Sequence, residues 1–375
     1  MDAQTKRTWA EISLDDLAHN ISAIRRRLPE GTKFLGVVKA DAYGHGAIPV
    51  ARRMQEEGAD YLAVAELGEA LELRQAGVTL PILILGHTPP EFVPELIRYG
   101  LTQTVTNLAK AEEYDAAARS FGGGQKLRIH VKLDTGMSRL GFLCVGERFA
   151  PGVENVAAAC RLPHLEPEGI YTHFAMSDEP GPEAAEYTRA QFRLFLDVIG
   201  ALKERGVEFA LRHCANSGAV VNWPETALDM VRPGILTYGY GDGGALGLRP
   251  CMSLMTRIST IKHYEPGVRV SYGGTFTVER HTRMGVISIG YADGLLRSLS
   301  NRCSFYTAGG FAPQRGRICM DMCMIDLTEL PEARVGTPVE IFGPHSRLET
   351  LADAAGTITY ELLCAVSKRV PRVYL

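Results

Sequence analysis

The chain has 375 residues, a net charge of -3 and 22% charged residues, so no basic surface marks it for nucleic acid or an anionic membrane. Its length allows a large barrel plus a second domain, and a hydrophobic fraction of 46% suits a water-exposed globular protein. Behind Met1-Asp2-Ala3-Gln4-Thr5-Lys6-Arg7 there is no apolar signal-peptide core, and no apolar run reaches the roughly 20 residues that span a bilayer.

Trp9 to Ser13 reads as a short strand, and Asp15-Asp16 as the cap of a helix whose apolar positions are Leu17, Ile21 and Ile24. Phe34-Leu35-Gly36-Val37-Val38 is an apolar run of the kind that forms a buried parallel strand. Lys39, at its end, is the first ionisable residue, and a lysine held at the rim of a buried strand is suited to Schiff-base chemistry. Amphipathic helix and apolar strand then alternate. Strands are predicted at Tyr61 to Ala65, Ile82 to Leu85, Thr102 to Thr106, Arg128 to Leu133, Gly169 to Phe174, Phe209 to His213 and Met230 to Ile235. With the strand before Lys39 they number eight, which predicts a parallel (β/α)8 barrel. Lys39, Lys132, Arg139, His173, Asn216, Ser217 and Arg232 all fall at or just beyond the C-terminal ends of these strands, where such barrels build active sites.

Gly241 to Gly244 lacks the Lys-Ser/Thr of a phosphate loop and reads as a linker. From about Leu248 short β-rich runs take over, at Met255 to Ile261, Arg269 to Tyr272, Met284 to Ile289, Met322 to Leu327 and Pro338 to Phe342. Two helix-like segments, Leu348 to Ala355 and Thr359 to Ser367, precede a last strand at Arg372 to Tyr374. The eight cysteines are scattered, and the single near pair, Cys319 and Cys323, is a poor zinc motif. Scattered cysteines in a chain of this size point to a reducing compartment, with the cytoplasm as the default.

Several blocks resemble the alanine racemase family. They are Val37-Val38-Lys39-Ala40-Asp41-Ala42-Tyr43-Gly44-His45-Gly46, the run His130 to Gly141, Asn216-Ser217-Gly218, Arg232-Pro233-Gly234-Ile235, Val270 to Thr275, Ile289 to Gly294 and Arg317 to Asp321. The resemblance runs from Trp9 to Tyr374. It implies pyridoxal 5'-phosphate (PLP) carried on Lys39, in a barrel over 10–245 followed by a C-terminal β domain over 246–375, with the N-terminal strand (1–9) as a candidate addition to the latter.

By the same resemblance Tyr43, Ser217, Gly234, Ile235, Asn216 and Tyr360 lie around the cofactor, chiefly its phosphate, and His173 belongs with them. Arg139 meets the cofactor phenolate and the substrate carboxylate, Lys132 is a candidate carbamylated lysine, and Arg232 faces the pyridine nitrogen. An arginine has no acceptor and stays protonated, so it leaves that nitrogen largely unprotonated and the ring a weaker electron sink. Proton return at Cα then wins over transamination.

Lys39 and Tyr272 are the implied pair of bases on the two faces of Cα. A free phenol titrates at about 10, so its action at neutral pH asks the site for roughly 3–4 kcal/mol, which a His173–Arg232 relay is expected to supply. Met320, through its backbone N–H, and Tyr291 belong to the substrate site, and the β-domain residues reach it from the other subunit of a head-to-tail homodimer. The expected reaction interconverts L- and D-alanine, feeding peptidoglycan, with an amino acid as the small-molecule substrate.

A serine or broad-specificity racemase is the alternative. Tyr360, and the lack of an N-terminal membrane region, favour alanine, whereas Ile84 to Pro90 and Leu101 to Val105 look similar to serine-racemase homologues. Leu85, Tyr360 and Tyr291 would shape the side-chain pocket. A basic amino-acid decarboxylase would want an acid where Arg232 stands, and a single-barrel PLP carrier would lack the second half.

Overall fold

The computed structural model describes residues 7–241 and 244–375. The reading of the first residues as lacking a signal core, and the middle of the Gly241 to Gly244 linker, lie outside the described residues. The chain divides into two compact units, one formed by residues 17–42 and 47–248, the other by the segment before 17, residues 43–46 and residues 249–375.

The first unit is a parallel barrel. Its strands run in the order Met230–Val231, Lys33–Val37, Tyr61–Val64, Ile82–Ile84, Leu101–Val105, Leu127–Asp134, Leu165–Tyr171 and Leu211–His213. The last and first are joined by Asp229 N–H to Arg212 O at 3.1 Å and Arg232 N–H to Ala215 O at 2.9 Å, which closes the ring. Helices such as Ala47–Glu56, Leu108–Phe121, Phe149–Cys160 and Pro182–Lys203 follow individual strands. Because helices cover the outside and side chains fill the inside, the strands are apolar on nearly every residue. Leu62 to Val64 and Ile82 to Ile84 are fully buried, each large side chain contributing about 1.5–3 kcal/mol.

Leu127–Asp134 departs from that rule. Leu127, Ile129, Val131 and Leu133 alternate with Arg128, His130, Lys132 and Asp134, so one face of this strand brings polar groups into the barrel. At the first helix, Leu14–Arg25, the cap is Ser13, whose Oγ accepts the Asp16 N–H at 3.1 Å; Asp15 and Asp16 stand in the first turn, where they favour the helix dipole.

The second unit is β-rich. Thr282–Ile287, Cys323–Asp326, Gly310–Arg315, Ser304–Thr307, Pro338–Phe342 and Met252–Tyr264 pair in that order, and the last pairs back with the first. Thr8–Ile12 pairs antiparallel with Met252–Tyr264 and parallel with Arg372–Tyr374, so both ends of the chain belong to this unit. Buried Asp293 ties them further, accepting from Arg7 Nη2 at 2.5 Å and from Arg369 Nε at 2.8 Å.

Candidate active site

Strand Lys33–Val37 ends at buried Val38, whose N–H donates to Ala63 O at 2.9 Å, and Lys39 follows. The next four residues, Ala40 to Tyr43, have φ between 52° and 53°, a left-handed turn that L-residues adopt at a cost of roughly 1–2 kcal/mol each. Side chains hold it open. Glu69 Oε1 accepts the Ala40 N–H at 2.6 Å, and Asp41 Oδ1 accepts the Ala47 N–H at 2.7 Å.

Asp134 organises the loop that carries Arg139. Its Oδ1 accepts the N–H groups of Gly136 and Ser138, both at 3.0 Å. Gly141, with φ 137°, passes so close to the strand that a Cβ would lie 2.5 Å from the Leu133 carbonyl carbon, so only glycine lets the loop return here. Arg139 is thereby left exposed on the loop.

Lys132 is 7% exposed and sits 5.7 Å from the Tyr171 ring centroid. Burial, then the charges of Arg139 and Arg232, pull its pKa down from 10.5 to about 8, against an opposing pull from Asp134. Burial and the same cations hold His173 well below the usual histidine range, so its ring is neutral. Lys39, Lys132, Arg139 and Arg232 thus build a positive field at this end of the barrel, with Asp134 the opposing anion. Such a field calls for anions.

Arg232, 4% exposed, is the most constrained member. Nη1 donates to His213 Nδ1 at 2.9 Å, and Nη2 to the carbonyls of Thr172 at 2.8 Å and Cys214 at 3.2 Å. His173 Nδ1 is 3.5 Å away, at the limit of a hydrogen bond, so the closer partner is His213, which the sequence reading passed over as the end of a strand. Nε and the second Nη1 hydrogen have no partner among the described residues.

Asn216 caps Ser217–Asn222, its Oδ1 accepting from Ala219 N–H at 3.0 Å and from Ser177 Oγ at 2.7 Å. Ser217 Oγ accepts from Gly234 N–H at 2.9 Å and Leu236 N–H at 3.4 Å, which leaves its hydroxyl hydrogen to donate elsewhere. Ile235 is buried beside this junction. A hydroxyl donor, four cations and the spare donors of Arg232 match the acceptor-only groups of PLP, namely its phosphate, phenolate and pyridine nitrogen.

In the β-rich unit Tyr43 and Tyr360 pack with ring centroids 5.9 Å apart, and burial raises the Tyr43 pKa, so it stays a phenol. Gly44 (φ 80°) lies against Leu363 O where a Cβ would collide, while its carbonyl accepts from Arg372 Nε at 2.9 Å. The blocks carrying Tyr272, Tyr291 and Met320 are knitted together. Ser271 Oγ donates to Arg317 O at 2.6 Å, Tyr291 N–H to Cys319 O at 3.0 Å and Ala292 N–H to Met320 O at 3.0 Å. The Met320 N–H is engaged by no described residue. Tyr272 is 71% exposed, Met320 53% and Tyr291 43%.

A barrel that sets a lysine after one strand, cations on several others and a donor-only arginine after the last defines a PLP enzyme of the barrel type. Residues 12–242 match the alanine racemase N-terminal domain and residues 251–374 the alanine racemase C-terminal domain. The chain is 45% identical to the alanine racemase of Desulforamulus reducens, over 98% of each protein. It is 44% identical to alanine racemase 1 of Clostridium acetobutylicum, over 98% of this chain and 95% of that one. A solved alanine racemase from Clostridium difficile superposes with a TM-score of 0.92 at 40% identity, covering 99% of this chain and 96% of that one. The chain belongs to the alanine racemase family, PLP-dependent isomerases.

Proposed function

We propose that the chain interconverts L-alanine and D-alanine by moving a proton at Cα between two bases, Lys39 Nζ on one face and Tyr272 Oη on the other. The observation that carries the reading is Arg232, buried and fixed by three protein acceptors with donors to spare. When bound, PLP draws electron density from the substrate Cα and so makes its proton removable. Arg232 can only donate toward the pyridine nitrogen, which limits that withdrawal and returns the proton to carbon.

The remaining roles follow from the same donor set. Ser217, with Gly234, Ile235 and the turn set by Asn216, holds the phosphate, and Tyr43 and Tyr360 belong beside it. His173 stands next to Arg232, and Arg139 orients the substrate carboxylate, which the Met320 N–H also meets; Tyr291 guards the entrance. Lys132, with its pKa lowered to about 8, is suited to carbamylation: the neutral amine adds to carbon dioxide, releases a proton and becomes an anion beside Arg139.

A head-to-tail homodimer completes each site with Tyr272, Tyr291 and Met320 of the second copy. Their joint exposure on one hydrogen-bonded framework supports this, because three such side chains together make an unusual stretch of free surface. The eight cysteines form no disulfide among the described residues, which supports a cytoplasmic setting, where D-alanine would supply peptidoglycan synthesis. Purified protein with PLP, given L-alanine or L-serine and read by chiral chromatography, is expected to form D-alanine much faster than D-serine. A dominant D-serine product would overturn the specificity. Lys39→Ala that kept both turnover and the bound-cofactor absorbance would overturn the mechanism.

A further inference from the structure

Behind His213 the barrel interior holds a hydrogen-bond chain that the reaction described above does not use. His213 Nε2 lies 2.9 Å from His130 Nδ1, and His130 Nε2 lies 3.1 Å from Glu168 Oε2, which also accepts the Tyr61 hydroxyl. His130 and His213 are fully buried. The backbone is shaped for this chain. The register of Leu127–Asp134 with Leu165–Tyr171 slips between Ile129–Pro167 and His130–Gly169, so Glu168 is the extra residue of a β-bulge. At Gly169 a Cβ would stand 2.7–2.8 Å from three atoms of the His130 ring, so that ring occupies space only a glycine leaves. Tyr171 stacks on His213 with centroids 4.9 Å apart and planes 10° from parallel.

The ends fix the direction of every proton. Arg232 only donates, so His213 Nδ1 is an acceptor and its proton sits on Nε2. That proton points at His130 Nδ1, which places the His130 proton on Nε2, aimed at the Glu168 carboxylate, an acceptor only. We propose that Glu168 and His130 are positioning residues that, through His213, aim Arg232 at the pyridine nitrogen of PLP and keep the enzyme on racemisation rather than transamination. This rests on the racemase reading above.

The physical need is specific. Without an acceptor at 168, keeping the present direction strands the buried His130 Nε2–H. Reversing the chain instead sets a His213 N–H against the Arg232 N–H. Either outcome costs enough to shift the populations about tenfold or more. Arg232 then loses its fixed aim, the pyridine nitrogen is freer to gain a proton, and the electron sink strengthens.

The test uses the PLP-loaded enzyme labelled with 15N-histidine. In the wild type the spectra should show His130 and His213 both neutral with the proton on Nε2; a Nδ1-protonated or cationic form of either overturns the inference without any variant. Glu168→Leu should lose the single His213 tautomer and raise the ratio of abortive transamination (pyridoxamine phosphate formed) to racemisation about tenfold. Glu168→Gln, whose amide oxygen still accepts from His130, should restore both. An unchanged ratio in folded Glu168→Leu, or no rescue by Glu168→Gln, overturns the inference. Wild type with the expected tautomers but no racemisation would remove the racemase reading and the inference with it, whereas an active racemase with the wrong tautomers removes the inference alone.

Discussion

Lys132→Met replaces a buried ammonium by an apolar side chain of similar length. Burial and two neighbouring guanidinium groups lower the folded-state pKa of Lys132 from 10.5 to about 8. That interval corresponds to about 3 kcal/mol by which the folded state disfavours the charged amine. Below pH 8 both states hold the proton and the folded protein bears the full cost. Between about 8 and 10.5 the folded amine has released its proton while the unfolded one has not, so stability rises with pH; above 10.5 the cost is gone. In bicarbonate-free buffer at about pH 7, Lys132→Met should therefore be more stable than wild type by roughly 3 kcal/mol, and by only about 1 kcal/mol at about pH 10. Urea denaturation at both pH values measures this. Bicarbonate should close the gap at neutral pH by stabilising the wild type alone, since a carbamate formed only in the folded state adds its binding free energy. A variant no more stable than wild type at neutral pH without bicarbonate would refute the reasoning, as would an equal bicarbonate effect on both proteins.

Gly290→Ala would place a Cβ 2.5 Å from the Met320 carbonyl carbon. It should cost about 1–3 kcal/mol in thermal denaturation and raise the KM for alanine several-fold by moving the Met320 N–H; an unchanged KM in a destabilised protein would remove Met320 from substrate binding. Asn216→Ala should lose about 1–2 kcal/mol in urea with the helix cap and the Ser177 bond. Asn216→Asp should keep that stability but bind PLP more weakly, because a carboxylate would face the phosphate. Gly169→Ala should displace the His130 ring by several tenths of an ångström and cost about 1–3 kcal/mol in urea; a change below about 0.5 kcal/mol would mean that the ring is loosely held.

The eight barrel strands were legible because parallel strands buried on both faces read as apolar runs between helical periods, and those runs differ from the structure mainly at their ends. The hairpin Ser304–Thr307 and Gly310–Arg315 was not. Pro313 and an Ala308-Gly309 turn break it into pieces too short and mixed for a period to register. Acids favour a helix start, so Asp15-Asp16 resembles a cap in sequence, but Ser13 supplies the hydroxyl that accepts.

Among site residues, Lys39, Arg139, Ser217 and Arg232 stand after strands and inside recognisable blocks. His213 and Glu168 do not, because their importance comes from a bulge and from partners on other strands. The polar alternation of Arg128, His130, Lys132 and Asp134 was the available signal, since a buried barrel strand has little reason to carry it.

The placement of Thr8–Ile12 between Met252–Tyr264 and Arg372–Tyr374 has a consequence for synthesis on the ribosome. This strand is made ahead of the barrel; its first partner, Met252–Tyr264, follows only once the barrel segment has been translated, and its second, Arg372–Tyr374, later still. At about 5–20 residues per second that delay is on the order of tens of seconds. During it an edge-capable strand waits unpaired while the barrel completes itself, so the β-rich unit behaves as a host into which the barrel has been inserted. Trimming the amino terminus into Thr8–Ile12 should thus be felt as poor yield of folded protein before it is felt as lost catalysis.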